Sequence, residues 1–165
     1  MDRLERRAVE FRASPAGVIE GVLIPYGTAS RIGGVFDEVF EAGAMRFDRV
    51  MANVQHDRAR PLARLGHGLT LTDSAAELRA RIELPDTTEG RDTRALIEAG
   101  VLTGFSAEFR AVREDWPAPD RRVIHEAELR GLAVVDDPAH QSALIAEVRA
   151  RLAAPAPAKR RRVFL

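Results

Sequence analysis

The chain contains no cysteine, which excludes disulfide stapling, thiolate catalysis and cysteine-ligated zinc while leaving the compartment open. No stretch approaches the roughly 18 consecutive apolar residues that a membrane-spanning helix needs, and the opening MDRLERRAVEFR has no apolar segment of signal-peptide type. An excess of one charge sign is missing too. The 25 basic and 25 acidic side chains cancel, so no whole-molecule field steers the protein onto nucleic acid or an anionic membrane. Aromatic residues are few, and the seven phenylalanines and single tryptophan are explained more simply as core and loop anchors than as base-stacking platforms. There is no HExxH or other close histidine spacing for a metal. Gly33-Gly34 lacks both the lysine and hydroxyl of a phosphate loop and the spacing of a dinucleotide fingerprint. These absences predict a cytoplasmic protein without metal or cofactor.

What is present fits one domain: 165 residues, 45% hydrophobic and 30% charged, an ordinary soluble composition with room for one principal core. Residues 1–12 read as charged and irregular. Val18 to Ile24 alternates loosely as a strand that Pro25-Tyr26-Gly27 closes. In FDEVFEAGAMRFDRVM, the spacing of Met45, Phe47, Val50 and Met51 predicts a helix from about Ala44 to Ala52 after a loop or short strand, with Gly43 interrupting anything longer. A short strand at Arg60 to Leu65 and a hairpin turning at Asp73-Ser74 follow, with Leu69, Leu71, Leu78, Ala80, Ile82 and Leu84 in alternation.

Thr87 to Ala99 reads as a helix capped by Asp86 or Thr88 and ended by Gly100. From Val101 to Val112 a strand puts Phe105, Ala107 and Phe109 on one face and Ser106, Glu108 and Arg110 on the other. A loop is predicted over Asp115 to Asp120, then strands at Arg122 to Ala127 and Leu129 to Val135, closed by Asp136-Asp137-Pro138. His140 to Leu152 offers a short helix. APAPAKRRR and VFL read as an extended tail. The expectation is therefore a mostly beta α+β domain over residues 1–152, a partly or fully closed barrel with flanking helices, and a tail over 153–165.

Two residues carry candidate chemistry. Ser106 lies in GVLTGFSAEF, past a helix and near Gly100 and Gly104, where backbone N–H groups are placed to converge on an oxyanion. On residues alone a surface hydroxyl on a half-buried strand is the simpler reading. His56, in NVQHDRARP between structured elements, has the near-neutral pKa that general-base work requires, or is simply a solvated histidine beside Asp57 and Arg58. His67, His125 and His140 have no better claim. The basic run from Lys159 to Arg162 can contact a negative partner or merely be solvated.

The ordered blocks FEAGAM, NVQHD, LPDTTEGRDTRALIEAGVLTGFSAEF and the later RGLAVVDDPAH, spanning about Val18 to Ala143, resemble the prohead protease family of tailed phages and prophages. This resemblance implies a serine endopeptidase on a beta-barrel related in fold to the herpesvirus assembly protease. It would act inside the assembling prohead on the major capsid protein, its scaffold segment and other copies of itself, with no membrane and no nucleic-acid partner. A phage, a resident prophage or a gene-transfer particle would all fit. The nucleophile maps onto Ser106 and the base onto His56. The acid often found on the later strand maps onto Gly131, while Glu108 stands where the family commonly has a small residue. Glu108, on the Ser106 face of its strand, is therefore the expected third member; lining a substrate groove and a dyad without an acid remain the alternatives. Glu128 should turn to the other face, and Asp136 and Asp137 lie at the strand's far end. Two other readings stay open: an assembly chaperone or scaffold-associated domain that keeps the fold without turnover, and a nucleic-acid-binding accessory module that rests only on the terminal basic run.

Overall fold

The computed structural model describes residues 4–14 and 16–136. The helical segment expected at 140–152, the tail at 153–165 and its basic run lie outside the described residues. In chain order the elements are β1 (Glu5–Glu10), β2 (Arg12–Ala13), β3 (Val18–Pro25), β4 (Ser30–Ile32), β5 (Phe36–Phe40), β6 (Met45–Arg46), β7 (Met51–Val54), β8 (Asp57–Leu65), β9 (Gly68–Asp73), β10 (Glu77–Glu83), α1 (Thr88–Glu98), β11 (Gly104–Ala118) and β12 (Arg121–Val135). The mostly beta expectation holds. A single helix, not several, flanks the sheet among the described residues, and no helix is long and apolar enough to cross a membrane.

β12 is the spine. Along one edge it pairs antiparallel with β11 over nearly its whole length, and along the other it takes β5, β6 and β7 in succession, all parallel. From β7 the sheet runs through β8, β9, β10 and β3 to β2, while β1 closes the far side of β11. β1 also lies against β3, so the open path curls into a half-barrel. Leu23, Leu78, Ile82, Phe105, Phe109 and Leu132 are fully buried within the curl, and Phe40 meets Phe109 edge to face at 5.3 Å.

Several local expectations are corrected by this arrangement. No helix forms at 44–52: Met45 pairs with Ala127 and Ala52 with Leu132, because ladder bonds along the exposed edge of a 15-residue strand outweigh weak helical periodicity. The loop expected at 115–120 shrinks to a turn at Pro119 and Asp120. Pro117 is tolerated within β11 because the ladder slips between Asp115 and Ala118, and Trp116 packs on Phe36 at 5.2 Å. The two strands expected after that loop are one continuous β12. Thr87, neither Asp86 nor Thr88, caps α1 by accepting from the Gly90 N–H at 3.1 Å. Gly100 does take the left-handed position, with φ 71°.

The charged segment that reads as irregular is two strands, and β1 is held by its charges. Its Glu5 and Arg7 point into a cluster with Glu38 of β5, Glu114 of β11 and Arg122 of β12. Arg122 is 2% exposed; it donates to Glu5 at 2.7 Å, to Glu38 at 2.9 Å and, through Nε, to Glu114 at 2.8 Å. Buried charges persist only when paired in this way. Arg122→Met would remove the buried guanidinium that Glu5 and Glu38 share. We expect a loss of roughly 3–5 kcal/mol, read from urea denaturation; an unchanged midpoint would show that the cluster does not hold the strand.

Candidate active site

β11 carries Ser106 and Glu108 two residues apart, so both project from one face while Phe105, Ala107 and Phe109 project into the core. The strand is not half-buried as its alternation suggests. Every residue from Gly104 to Phe109 is buried, since β1 and β12 flank the strand on both edges.

His56 arrives from a different direction. β7 and β8 are joined by a two-residue hairpin in which Val54 pairs with Asp57, and both central residues, Gln55 and His56, have positive φ, 53° and 60°. This is the backbone of the primed hairpin turns, where Gly, Asn and Asp are usual. A left-handed residue with a Cβ costs about 1–2 kcal/mol. The turn thus holds strain at the position that presents the imidazole.

The structure brings together the three residues singled out from the sequence. Ser106 Oγ and His56 Nε2 are 2.8 Å apart. On the other side of the ring, Nδ1 stands 3.3 Å from Glu108 Oε2. With the imidazole proton on Nδ1, Nε2 accepts from the serine hydroxyl and the carboxylate faces the remaining N–H. Glu108 pairs with Gly131 across the β11–β12 ladder. A Cβ placed on Gly131 would come within 3.7 Å of Glu108 Oε1, so the glycine leaves open space beside the carboxylate. Arg6 of β1 donates to Glu108 Oε2 through Nε at 3.0 Å and Nη2 at 2.8 Å, a contact the sequence does not announce, because Arg6 lies 102 residues away in the segment read as irregular.

Electrostatics follow from the same contacts. Desolvation is the main cause that holds the His56 pKa below its ordinary 6.5; the Arg6 charge pushes the same way, and the Glu108 charge opposes both. A neutral imidazole, the form a general base needs, is therefore favoured at neutral pH.

His56, Glu108 and Gly131 line a cavity of about 340 Å³ together with Asn53, Arg58 and Arg130. Asn53 Oδ1 is buried with no hydrogen-bond partner among the described residues. Ser106 is fully buried and is not among the residues that line this cavity.

Just after α1, the N–H groups of Gly100, Val101 and Leu102 donate back to the carbonyls of Ile97, Leu96 and Leu96, because the chain wraps onto the helix's last turn, and that of Thr103 donates to Val135 of β12; as oxyanion donors these four are already engaged. Glu128 is engaged by Arg110 at 2.8 Å. His125 is bracketed by Glu41 at 2.9 Å and Asp115 at 2.8 Å, which raise its pKa and make it a surface ion-pair residue. Among the described residues no group of histidine and acidic side chains is arranged to hold a metal ion.

Two expectations come from the turn and the imidazole. Gln55→Gly removes left-handed strain at an exposed position and should raise the stability by about 1 kcal/mol, measured by chemical denaturation; no gain would mean that the turn is relaxed. An NMR titration of His56 should give a midpoint below 6.5, and Glu108→Gln should move it lower still by removing the one contribution that raises it. Below 6.5 the unfolded chain takes up a proton that folded His56 does not. Stability at this group should therefore fall as the pH drops from 6.5 to the folded midpoint and level off beneath it.

The family model for the caudovirus prohead serine protease matches residues 2–156. The solved structure of the bacteriophage T4 capsid assembly protease superposes with a TM-score of 0.58 at 12% identity, over 82% of this chain and 98% of that one. At that identity the likeness shows the fold. No curated protein sequence matches the chain.

Proposed function

Because the chain belongs to the caudovirus prohead serine protease family, we propose that it is a capsid-maturation endopeptidase whose nucleophile is Ser106, whose general base is His56 and whose orienting carboxylate is Glu108. The observation that carries this assignment is the 2.8 Å contact between Ser106 Oγ and His56 Nε2, with a carboxylate oxygen 3.3 Å from the opposite ring nitrogen. A serine hydroxyl is a weak nucleophile until a neighbouring base takes its proton, and the base works best when a third group fixes its tautomer.

In the proposed reaction Nε2 removes the Oγ proton as Oγ attacks the scissile carbonyl. The resulting imidazolium is stabilised by Glu108, and Nε2 returns the proton to the leaving amine as the peptide C–N bond breaks. Water then attacks the acyl ester by the same route in reverse, which regenerates Ser106 and releases the carboxylic acid. The unpaired Asn53 Oδ1 in the cavity wall is an acceptor for a substrate backbone N–H. The substrates in this reading are scaffold or capsid-protein segments, and the protein itself, cut inside a prohead assembling in the cytoplasm. A relation in fold to the herpesvirus assembly protease belongs to the same reading.

Glu108 replaces the acid that the family often carries at the position of Gly131. The two positions are ladder partners, so a carboxylate from either side of the pair can reach the same place beside the imidazole. The space next to Gly131 is what a side chain there would occupy.

Co-expression with the cognate major capsid protein and scaffold, followed by mass analysis of the products, tests the proposal. Ser106→Ala and His56→Ala should each cut cleavage by several orders of magnitude while the protein stays folded, and Glu108→Gln by about 10³ to 10⁴. Gly131→Glu alone would place two carboxylates together and impair the site through their repulsion; combined with Glu108→Gln it should recover part of the activity. Cleavage by Ser106→Ala at the wild-type rate would sink the assignment. A folded wild type that cuts nothing would favour an assembly chaperone on the same scaffold.

A further inference from the structure

We propose that Arg6 is a positioning residue of the site: its guanidinium, delivered by β1, fixes the Glu108 carboxylate against His56. This rests on the reading of Glu108 as the orienting carboxylate.

The geometry supports it at each step. Arg6 and Glu108 are direct ladder partners between β1 and β11, so their side chains stand side by side on one face. Both Arg6 contacts fall on Oε2, the same oxygen that lies 3.3 Å from His56 Nδ1. Apart from His56 Nδ1 itself, no other side chain among the described residues is paired with the Glu108 carboxylate. On its far flank is the vacant space left by Gly131. A glutamate has three rotatable side-chain bonds and, with open space to one side, no packing reason to stay on His56. The two Arg6 contacts supply that reason.

Burial makes the contact consequential. The Glu108 side chain is 10% exposed, and a carboxylate so enclosed must be paired, protonated or moved. An arginine cannot lose its proton, and its planar fork sets direction as well as charge. The Arg6 stem reaches in from an edge strand and is 43% exposed, an arrangement that contributes little as a surface ion pair but sets the direction of the carboxylate at the imidazole. On its other face β1 is held by the Glu5, Arg7, Glu38 and Arg122 cluster. The strand is therefore anchored on one side and presents Arg6 on the other.

The charged groups facing His56 are Arg6 from β1 and Glu108 from β11. Arg58 of β8, Arg130 of β12 and Arg49, just before β7, share its cavity. Removal of Arg6 leaves the Glu108 charge less opposed, so the imidazole should hold its proton to higher pH. This agrees in sign with the Arg6 contribution to His56.

The test uses the full chain with Arg6→Gln and Arg6→Lys, each checked for folding by thermal melting. The His56 midpoint is read by NMR in a Ser106→Ala background, which needs no turnover, and cleavage of the capsid substrate is followed against pH in the active protein. Arg6→Gln should raise the His56 midpoint, move the acid limb of cleavage up with it, and lower kcat roughly ten- to a hundredfold with little change in KM. Arg6→Lys keeps the charge and loses the fork, so it should leave the midpoint close to wild type and still lower kcat. A His56 midpoint unmoved by Arg6→Gln would overturn the inference, and a kcat loss beside it would then report only damage to β1. A midpoint that rises in a protein that never cleaves would support the Arg6 contact and count against the peptidase reading instead.

Discussion

One carboxylate ties the site to the rest of the fold. Glu108 sits on the central strand of the three that carry or flank the serine, with Arg6 on its β1 side, Gly131 on its β12 side and His56 across the top. Its contact with Arg6 depends on β1 being docked, and β1 is docked by a buried ion cluster whose partners come from β5, β11 and β12. Buried ion pairs are weak contributors to stability compared with well-packed apolar groups, because desolvation offsets most of the Coulomb gain. Here they do something that apolar packing cannot do. They set the register of a charged edge strand, and with it the position of a guanidinium at the site.

The hairpin that carries His56 follows the same logic from the other side. Gln55 and His56 occupy left-handed positions that a glycine would fill without strain. In the proposed site the second position supplies the imidazole, and the strain there is offset by the β7–β8 ladder and by the parallel pairing of β7 with the spine strand. Desolvation then holds the imidazole pKa below its ordinary value. Backbone strain and a depressed pKa at one residue are independent signs that its environment is organised around its side chain.

How much of this was legible in the sequence differs from element to element for physical reasons. The β9–β10 hairpin and α1 could be read because each is a local pattern: alternation on either side of Asp73-Ser74, and a capped, glycine-terminated run. The pairing of Ser106 and Glu108 on one face needed only strand periodicity. β1 was missed because alternation is normally read from apolar residues, and in this strand the inward positions are Glu5 and Arg7, made burial-compatible by Glu38 and Arg122 at 31 and more residues' distance. β6 and β7 were misread as a helix because what makes them strands is the edge of β12, about 80 residues later in the chain. Arg6 was invisible for the same reason: its meaning lies wholly in a cross-strand partner.

The position of Glu108 opposite Gly131 also bears on how such a site tolerates change. On adjacent antiparallel strands, directly opposed residues share one face and stand about 5 Å apart. A carboxylate can therefore pass from one strand to the other without moving the backbone, provided that the vacated position becomes small and the new one finds a cation. Both conditions hold here: Gly131 has no side chain to compete with Glu108, and Arg6 provides the charge from the strand on the opposite side. A glycine at 108 with an acid at 131 would place the carboxylate one strand farther from β1, beyond the direct ladder contact that Arg6 now makes. In the proposed triad, the side of the β11–β12 pair on which the acid stands thus decides whether β1 belongs to the site or only to the sheet.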